Sequence, residues 1–408
     1  MKKILLISTI TSSLLIASGY RLPENSINSM ALSGAYIANA RGADSAYYNP
    51  ANMVFNENIN QVEGAVTYIN LAEIKYTDKL SATYNSQSEA ENLFAPSLFY
   101  SSKDYNGFRY GFSMTVPGGL SKRWESPYAK AFSQEFTLKI IELNPSIAYK
   151  VNANLALGGG VRVIYSEGIV KSDATAFGKP VVRDMEADTI EYGYNLALTY
   201  KPIDEVKVAA TYRSNIDLKE EGNAKLYLSG TKLYDGGASV QVPLPAIAAI
   251  AISYNFGNTV VEVEYDKTMW SEYKELDFNF KDDVPKALQK AFDEPKPRDW
   301  VDTDAIRLGV THKLNDKLTL MAGIATDDNP AQEKHLGFEL PDSDAMLYSA
   351  GFNYDYSNAI SFGASVLYDS KDERTVSQGR TKADPLLIEG TYKDASATLV
   401  TVGAKYKF

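Results

Sequence analysis

The chain has 408 residues, a formal net charge of -10, 45% hydrophobic residues and a mean hydropathy of -0.25. Beyond the N-terminus it has no apolar run of the length that a membrane helix needs, which excludes a helical membrane protein. It has no cysteine, which excludes a lipoprotein anchor, disulfides and thiolate metal sites. The acidic balance argues against a nucleic-acid partner.

Residues 1–18 have the pattern of a secretory signal peptide. Two lysines follow the first methionine, residues 4–16 are apolar, and small residues follow from Ala17. Positive, then apolar, then small is the order that secretion signals share. We expect cleavage between Ala17 and Tyr20. The alternative is a buried helix or a membrane anchor, for which the apolar stretch is short.

Residues 19–59 differ in composition from the rest of the chain. They are rich in Ser, Ala, Gly and Asn, and they lack the period-two alternation of a strand. The segment is too short for a domain of its own. We therefore expect it to fold back into the structure that follows, as a plug.

The remainder, residues 60–408, reads as a series of strands. The last one has Thr398, Val400, Val402, Ala404, Tyr406 and Phe408 on one face and Leu399, Thr401, Gly403, Lys405 and Lys407 on the other. Successive side chains of a strand point to opposite faces, so one face suits lipid and the other suits a watery interior. Tyrosine, which favours the boundary between membrane and water, occurs 28 times.

Short polar connections alternate with long ones. The short ones span residues 104–107, 151–154, 202–205, 255–258, 314–317 and 355–359; the long ones span about residues 85–93, 119–132, 171–187, 219–237, 275–300, 327–344 and 370–394. Such alternation is typical of outer-membrane barrels, which have short periplasmic turns and long outer loops. We predict an all-β transmembrane antiparallel barrel of about 14 strands, with both termini periplasmic.

Many predicted inward positions are glycine. They are Gly158, Gly160, Gly193, Gly309, Gly323, Gly351, Gly363 and Gly403. Glycine weakens a strand, and a tight barrel would fill its interior with larger side chains. We therefore expect something to fill the lumen or to pass through it.

Short motifs in a fixed order carry a resemblance to a known family. They are Ser18-Gly19-Tyr20-Arg21-Leu22, Asn49-Pro50-Ala51, Trp270-Ser271-Glu272-Tyr273, Gly323-Ile324-Ala325-Thr326-Asp327-Asp328-Asn329-Pro330 and Leu340-Pro341-Asp342-Ser343-Asp344. This set resembles the FadL-type long-chain fatty-acid transporter family (OmpP1/FadL/TodX). Asn-Pro-Ala alone is a weak signal, but the ordered set spans nearly the whole mature chain.

The resemblance implies a barrel of fourteen strands plugged by an N-terminal hatch. Here the hatch would be residues 19–59, with Asn49, Pro50 and Ala51 as its motif. The family also implies a route for a hydrophobic ligand. Outer loops capture it, an internal pocket takes it up, the hatch rearranges, and the ligand leaves sideways into the bilayer through a kink in the third strand.

In this sequence the kink would fall at Pro117, Gly118 and Gly119. Proline removes a donor from the ladder and glycine tolerates bends, so strand pairing is expected to fail there. The alternative is that these three residues begin the next outer loop.

Candidate ligand-binding residues are Trp124, Tyr128, Phe132, Arg162 and Lys171. The three aromatic residues share a predicted loop with Lys122, Arg123 and Lys130, and this mixture suits an apolar tail with an acidic head. An aromatic belt at the membrane interface is the alternative. Lys171 is the only cation near residues 166–173, which leaves an acidic ligand open.

Three arginines are predicted to point into the lumen: Arg162, Arg213 and Arg307. Each could meet the carboxylate of a ligand. Each could instead pair with an acid of the lumen, for which Glu191, Glu262 and Glu264 are the candidates.

The sequence therefore favours passive outer-membrane transport of hydrophobic compounds, with long-chain fatty acids first. Aromatic hydrocarbons are the alternative within the same family, and a general porin is a further one. An enzyme is disfavoured because Gly-x-Ser-x-Gly does not occur and His312 and His335 are predicted at opposite rims.

The expected partners follow from this reading. They are a hydrophobic small molecule, the lipid and lipopolysaccharide of the outer membrane, and the barrel-assembly machinery, which would read the C-terminal strand that ends at Phe408. We expect a monomer without a cofactor or a metal ion.

Overall fold

The computed structural model describes residues 19–178, 180–381 and 387–408. The predicted signal peptide, residues 1–18, lies outside the described residues. Within these ranges, no helix combines the length and the apolar character that crossing a membrane requires.

Fourteen antiparallel strands form a closed barrel. They are β1 (Gln61–Leu71), β2 (Glu91–Ser101), β3 (Phe108–Thr115 and Gly119–Arg123), β4 (Glu135–Lys150), β5 (Leu155–Asp173), β6 (Val181–Ile203), β7 (Val206–Arg213 and Ile216–Leu228), β8 (Thr231–Leu244 and Ala246–Asn255), β9 (Thr259–Met269), β10 (Thr303–Lys313), β11 (Leu318–Asp327), β12 (Ala345–Asp355), β13 (Ile360–Lys371) and β14 (Ser396–Lys407). β14 pairs with β1 from Ala397 opposite Leu71 to Lys407 opposite Gln61. The predicted barrel and its strand number are confirmed.

The faces of the strands are also as predicted. In β14, Val402 is 54% exposed and Tyr406 is 48% exposed, whereas Leu399 and Thr401 are fully buried. The exposed apolar side chains form the outer surface of the barrel. A lipid environment stabilises that surface, which water would not.

The six predicted turns are present, and the start of β1 and the end of β14 lie at the same rim as these turns. Two predicted long loops are wrong, those over residues 171–187 and 219–237. β5 and β6 pair as far as Asp173 opposite Val182. β7 and β8 are joined by Ser229 and Gly230 alone, whose φ angles of 52° and 79° make a tight turn.

These errors have a physical cause. The outer parts of β7 and β8 carry charged residues at alternate positions, a pattern that resembles a loop. Their inward positions, among them Leu218 and Leu226, are fully buried. This packing, together with the ladder between Glu221–Leu228 and Val181–Asp188, keeps the hairpin regular beyond the membrane. The predicted loop 119–132 likewise begins with five residues of strand.

Short elements complete the fold. The N-terminal segment, residues 19–59, contains α1 (Ile27–Ala31), α2 (Ser45–Tyr48) and a 3-10 helix (Pro50–Phe55). The outer loops contain α3 (Pro127–Lys130), α4 (Lys286–Phe292), the short strands Lys75–Asp78, Ser86–Gln87, Glu275–Leu276, Phe278–Phe280, Lys296–Pro297, Arg374–Ser377 and Glu389–Lys393, and 3-10 helices at Ala82–Tyr84, Thr175–Phe177, Trp270–Glu272 and Glu333–His335.

Candidate ligand route

The N-terminal segment lies against the inward faces of the strands. α1 contacts β11 to β14, α2 contacts β2 to β4, and the 3-10 helix contacts β3 to β6. Many of the contacts are made where the wall has glycine. A Cβ atom at Gly158 would lie 2.5 Å from the backbone N of Ala51, and one at Gly323 would lie 2.2 Å from the carbonyl carbon of Leu32. Glycine therefore lets the backbone of the segment approach the wall.

Two acids of β9 hold the middle of the segment. Glu264 accepts a hydrogen bond from the backbone N–H of Tyr36 (3.0 Å), and Glu262 accepts from those of Ala38 and Asn39 (both 2.7 Å). The prediction that these acids pair with lumen arginines is wrong. A carboxylate forms strong hydrogen bonds with backbone N–H groups that have no other partner. Here residues 36–39 of the N-terminal segment provide these N–H groups.

The motif Asn49-Pro50-Ala51 ties the segment to itself and to the wall. Asn49 Nδ2 donates to the carbonyl of Ile37 (2.7 Å) and to Thr199 Oγ1 of β6 (2.8 Å). Pro50 begins the 3-10 helix, where its missing N–H costs nothing, and Ala51 packs its backbone on Gly158.

β3 is interrupted at the predicted kink. It pairs with β2 from Ser101 opposite Gly111 to Leu98 opposite Met114, whereas β2 pairs with β1 along its whole length. On the other side, its two parts pair with β4 in registers that differ by one residue, as at a β-bulge. The strand resumes at Gly119, so Pro117 and Gly118 do not open a loop.

The N-terminal segment occupies this interruption. The backbone N–H of Leu22 donates to the carbonyl of Pro117, and that of Gly119 donates to the carbonyl of Tyr20 (both 2.8 Å). The result is a gap in the pairing of β2 with β3, backed from inside by residues 20–22. We call it the wall gap.

A mainly apolar cavity with a volume of about 650 Å³ lies above the N-terminal segment. We call it the upper cavity. Its apolar walls include Leu120, Phe136, Leu138, Val170, Val240, Val242, Leu276, Phe278, Trp300, Leu336 and Leu340, and Tyr20 lies at its floor. Strand residues of β3, β4, β5, β7 and β8 line one side of it and outer-loop residues within 273–300 and 331–340 line the other, so the wall and the loops together can enclose a hydrocarbon.

Polar groups at the upper cavity are mostly paired. Arg298 Nη2 lies 2.6 Å from Glu339 Oε1, and Ser166 donates to Glu220 (2.6 Å). Burial alone would lower the pKa of Arg298, but the carboxylate of Glu339 holds it above its usual value. The cavity therefore offers an apolar interior with neutralised charges at its rim.

A second, lower cavity of about 700 Å³ lies beside the wall gap. Pro117 lines this lower cavity and also borders the wall gap. Arg162 lines it and pairs with Glu142 of β4 (3.0 Å). Asp266 lies between Arg21 of the segment (2.9 Å) and Arg307 of the wall (2.6 Å). The lumen arginines thus pair with acids of the lumen, as one alternative predicted, but these acids are Glu142, Asp266, Asp327 and, from the N-terminal segment, Glu24.

The three aromatic candidates lie together under the outer loops. Trp124 Nε1 donates to the carbonyl of Phe338 (2.7 Å). The rings of Tyr128 and Phe132 lie 5.6 and 5.3 Å from that of Phe338. Burial raises the pKa of Tyr128 to about 12. These residues cap the barrel from inside and do not form a belt on the lipid-facing surface.

Lys171 lies apart from the cavities. It is on the outer face of β5, and its Nζ lies 3.6 Å from Glu135 and 3.9 Å from Asp184. The inward cations are instead Lys122 of β3 and Arg183 of β6, both buried. Strand alternation continued through the supposed loop 171–187 would have placed Arg183 inside. Lys122 faces inward only because the one-residue register shift at the kink reverses the alternation of β3, which the sequence pattern does not show.

Three comparisons with known proteins agree with this architecture. The family described as "Outer membrane protein transport protein (OMPP1/FadL/TodX)" matches residues 6–408. The long-chain fatty acid transport protein of Escherichia coli O6:H1 is 24% identical over 409 residues, 89% of this chain and 90% of the relative.

Solved structures show the same fold. A Pseudomonas aeruginosa FadL homologue superimposes with a TM-score of 0.82 at 19% identity, covering 96% of this chain and all of its own. The toluene transporter TbuX of Ralstonia pickettii superimposes with a TM-score of 0.70 at 16% identity, covering 94% of this chain and 98% of its own.

Proposed function

The chain belongs to the outer membrane protein transport protein family OMPP1/FadL/TodX, and from this premise we propose that it carries long-chain fatty acids across the outer membrane by passive diffusion. The family consists of outer-membrane transporters of hydrophobic compounds. The choice of fatty acids, and the route described below, are our own proposals.

The observation that carries the proposal is the upper cavity. Enclosing a hydrocarbon chain there gains about 0.8 kcal/mol for each CH₂ group removed from water. A watery lumen would not provide this gain. Outer loops lined by Trp124, Tyr128 and Phe132 lie above the cavity and would deliver the ligand to it.

From the upper cavity, the ligand would leave sideways. Tyr20 lies at the floor of the upper cavity, and its neighbours Arg21 and Leu22 line the lower cavity next to Pro117. A shift of residues 20–22 would join the two cavities and uncover the wall gap. The ligand would then enter the bilayer without crossing water.

The N-terminal segment would serve as the hatch. It lies across the lumen between the lower cavity and a polar cavity of about 1210 Å³ near the periplasmic rim, and its contacts extend to strands on all sides. Ions and small polar solutes are therefore expected to be excluded while a ligand passes through the wall.

The test is uptake by cells that express the full chain. Labelled oleate, toluene and a small sugar are supplied separately, and the detergent-purified barrel is examined by native mass spectrometry for bound lipid. Saturable oleate uptake supports the proposal. Free passage of the sugar without uptake of oleate or toluene would identify a porin and refute it.

Aromatic hydrocarbons are the second candidate class. Phe136, Phe278 and Trp300 line the upper cavity, and flat rings pack well against such a wall. Uptake of toluene without uptake of oleate would favour this class.

A further inference from the structure

A buried lysine that forms no ion pair within the described part of the chain lies just beyond the kink. Lys122 of β3 is fully buried. Its Nζ lies 3.4 Å from Ser88 Oγ, and within the described ranges no carboxylate forms an ion pair with it. The adjacent acid, Glu91, is held by Arg123 at 2.8 Å.

A buried ammonium without an ion pair destabilises the folded protein. An ammonium has three donors, and a buried charge is stabilised only when it is paired and hydrogen-bonded. One long hydrogen bond to a hydroxyl leaves most of this requirement unmet. An anion bound at this ammonium would therefore supply the charge and the hydrogen bonds that Lys122 lacks.

The site also has physical space. Lys122 lines a cavity of about 300 Å³ together with Leu71, Ile74, Leu340 and Lys371. The ammonium of Lys371 is already bound to Asp342, which leaves Lys122 as the cation of this cavity that lacks an acid among the described residues.

The small cavity adjoins the upper cavity. Leu340 lines both. Leu120 lines the upper cavity and lies two residues before Lys122, on the same face of β3. A molecule with its apolar part in the upper cavity can therefore place a polar end at Lys122.

We propose that Lys122 binds the carboxylate of a long-chain acid whose hydrocarbon tail lies in the upper cavity. The proposal rests on the proposed function and narrows the ligand to anionic amphiphiles. Arg183 is another buried cation of this region that forms no ion pair among the described residues, but its guanidinium lies 5.0 and 5.6 Å from the rings of Phe278 and Phe292, which cover it.

The experiment compares an acid with the matching alcohol. Equilibrium binding of labelled oleate and labelled oleyl alcohol is measured on the full-length protein purified in detergent. The variants are K122M, K122R and R183M, with K139M as the matched control, because Lys139 lies on the outer face and pairs with Glu167 at 2.9 Å. Heat-modifiable migration on gels establishes that each barrel is folded.

We expect K122M to weaken oleate binding by about 10- to 100-fold, the range of a hydrogen bond to a charged group. The affinity for oleyl alcohol should change by less than about twofold, K122R should restore most of the oleate affinity, and K139M should behave like the wild type. If K122M does not fold, the same comparison is made with K122Q.

Three results would overturn the proposal. Equal loss of oleate and oleyl alcohol in K122M would make the lysine a packing residue, unchanged oleate binding would mean that water alone solvates it, and a selective loss in R183M would move the head group to Arg183. A wild type that binds neither compound refutes the proposed function itself, whereas one that binds both with K122M unaffected refutes only the role of Lys122.

Discussion

At the scale of single residues, Asn49 links three parts of the molecule through one amide group. It donates to the carbonyl of Ile37 and to the hydroxyl of Thr199, so it connects two stretches of the N-terminal segment with β6. A side chain this deeply buried cannot exchange these partners for water.

Replacing this side chain should loosen the segment. N49A leaves the Ile37 carbonyl with one partner fewer and the Thr199 hydroxyl unpaired, at a cost of about 1–3 kcal/mol. We expect oleate uptake to fall and the leakage of a small sugar into liposomes to rise. The exposed Asn223 provides the control variant N223A. Leakage that is equal in the two variants would contradict this role of Asn49.

Gly323 tests whether close approach is the reason for the inward glycines. A methyl group there would lie 2.2 Å from the Leu32 carbonyl carbon, and overpacking of this kind costs about 1–3 kcal/mol. G323A should therefore expose the segment to trypsin. At Gly64 of β1 the same methyl group would have its nearest neighbours at 4.0 Å, so G64A should resist trypsin like the wild type. Similar digestion of both variants would be evidence against the idea.

Alternation alone predicted most of these glycines as inward, because the period of a strand is exact enough to place each residue on a face. It could not predict what Glu262 and Glu264 bind. Their partners are backbone amides more than 200 residues away in sequence, and a backbone amide leaves no trace in the identity of its residue.

At the scale of elements, β3 is a strand whose pairing with its neighbours is interrupted at one place. Val116, Pro117 and Gly118 separate its two parts, and the second part pairs with β4 but lies away from the ladder of β2. The composition of the kink predicted this interruption. The strand after it was missed, since Gly119–Arg123 contains little besides polar residues.

A reversible cross-link across the wall gap tests the lateral exit. The β2–β3 ladder ends at Leu98 opposite Met114, and the same register continued into the gap would bring Ala95 opposite Pro117. The chain has no cysteine of its own, so A95C/P117C can form a single disulfide. Oxidation should abolish oleate uptake and leave oleate binding to the purified protein intact.

The same variant in its reduced form is the control, because it carries both substitutions without the bond. Uptake should return on reduction. Uptake that continues in the fully oxidised variant would show that the ligand leaves by another path, such as the lumen.

At the scale of the whole molecule, the barrel and its contents depend on each other. The wall supplies glycines and acids, and the N-terminal segment supplies backbone that fills the lumen. An empty barrel with so many inward glycines would be poorly packed. The barrel, its strand number and its topology could be predicted from the sequence because periodicity and turn spacing repeat along the chain. The two cavities could not, because outer loops complete the upper cavity and the N-terminal segment completes the lower one, and neither part has a period.

Deletion of residues 36–51 should turn the protein into a leaky channel. The deletion removes the amides bound by Glu262 and Glu264 as well as Asn49, so nothing from this stretch remains in the lumen. We expect planar-bilayer conductance and sugar permeation to rise severalfold, with the barrel still heat-modifiable. Unchanged conductance would show that residues 36–51 do not block the lumen.

The hydrogen bonds from backbone N–H groups to Glu262 and Glu264 have a consequence for which substitutions the N-terminal segment tolerates. Every amino acid except proline offers the same N–H, so the bonds to Glu262 and Glu264 do not depend on which side chains residues 36–39 carry. Packing still restricts those side chains, because Tyr36 and Ala38 are buried. The wall has less freedom, since Glu262 uses both of its carboxylate oxygens to accept from Ala38 and Asn39. At Tyr36, Ala38 and Asn39, proline is therefore the substitution that these hydrogen bonds exclude, whereas we expect few acceptable replacements of Glu262 and Glu264.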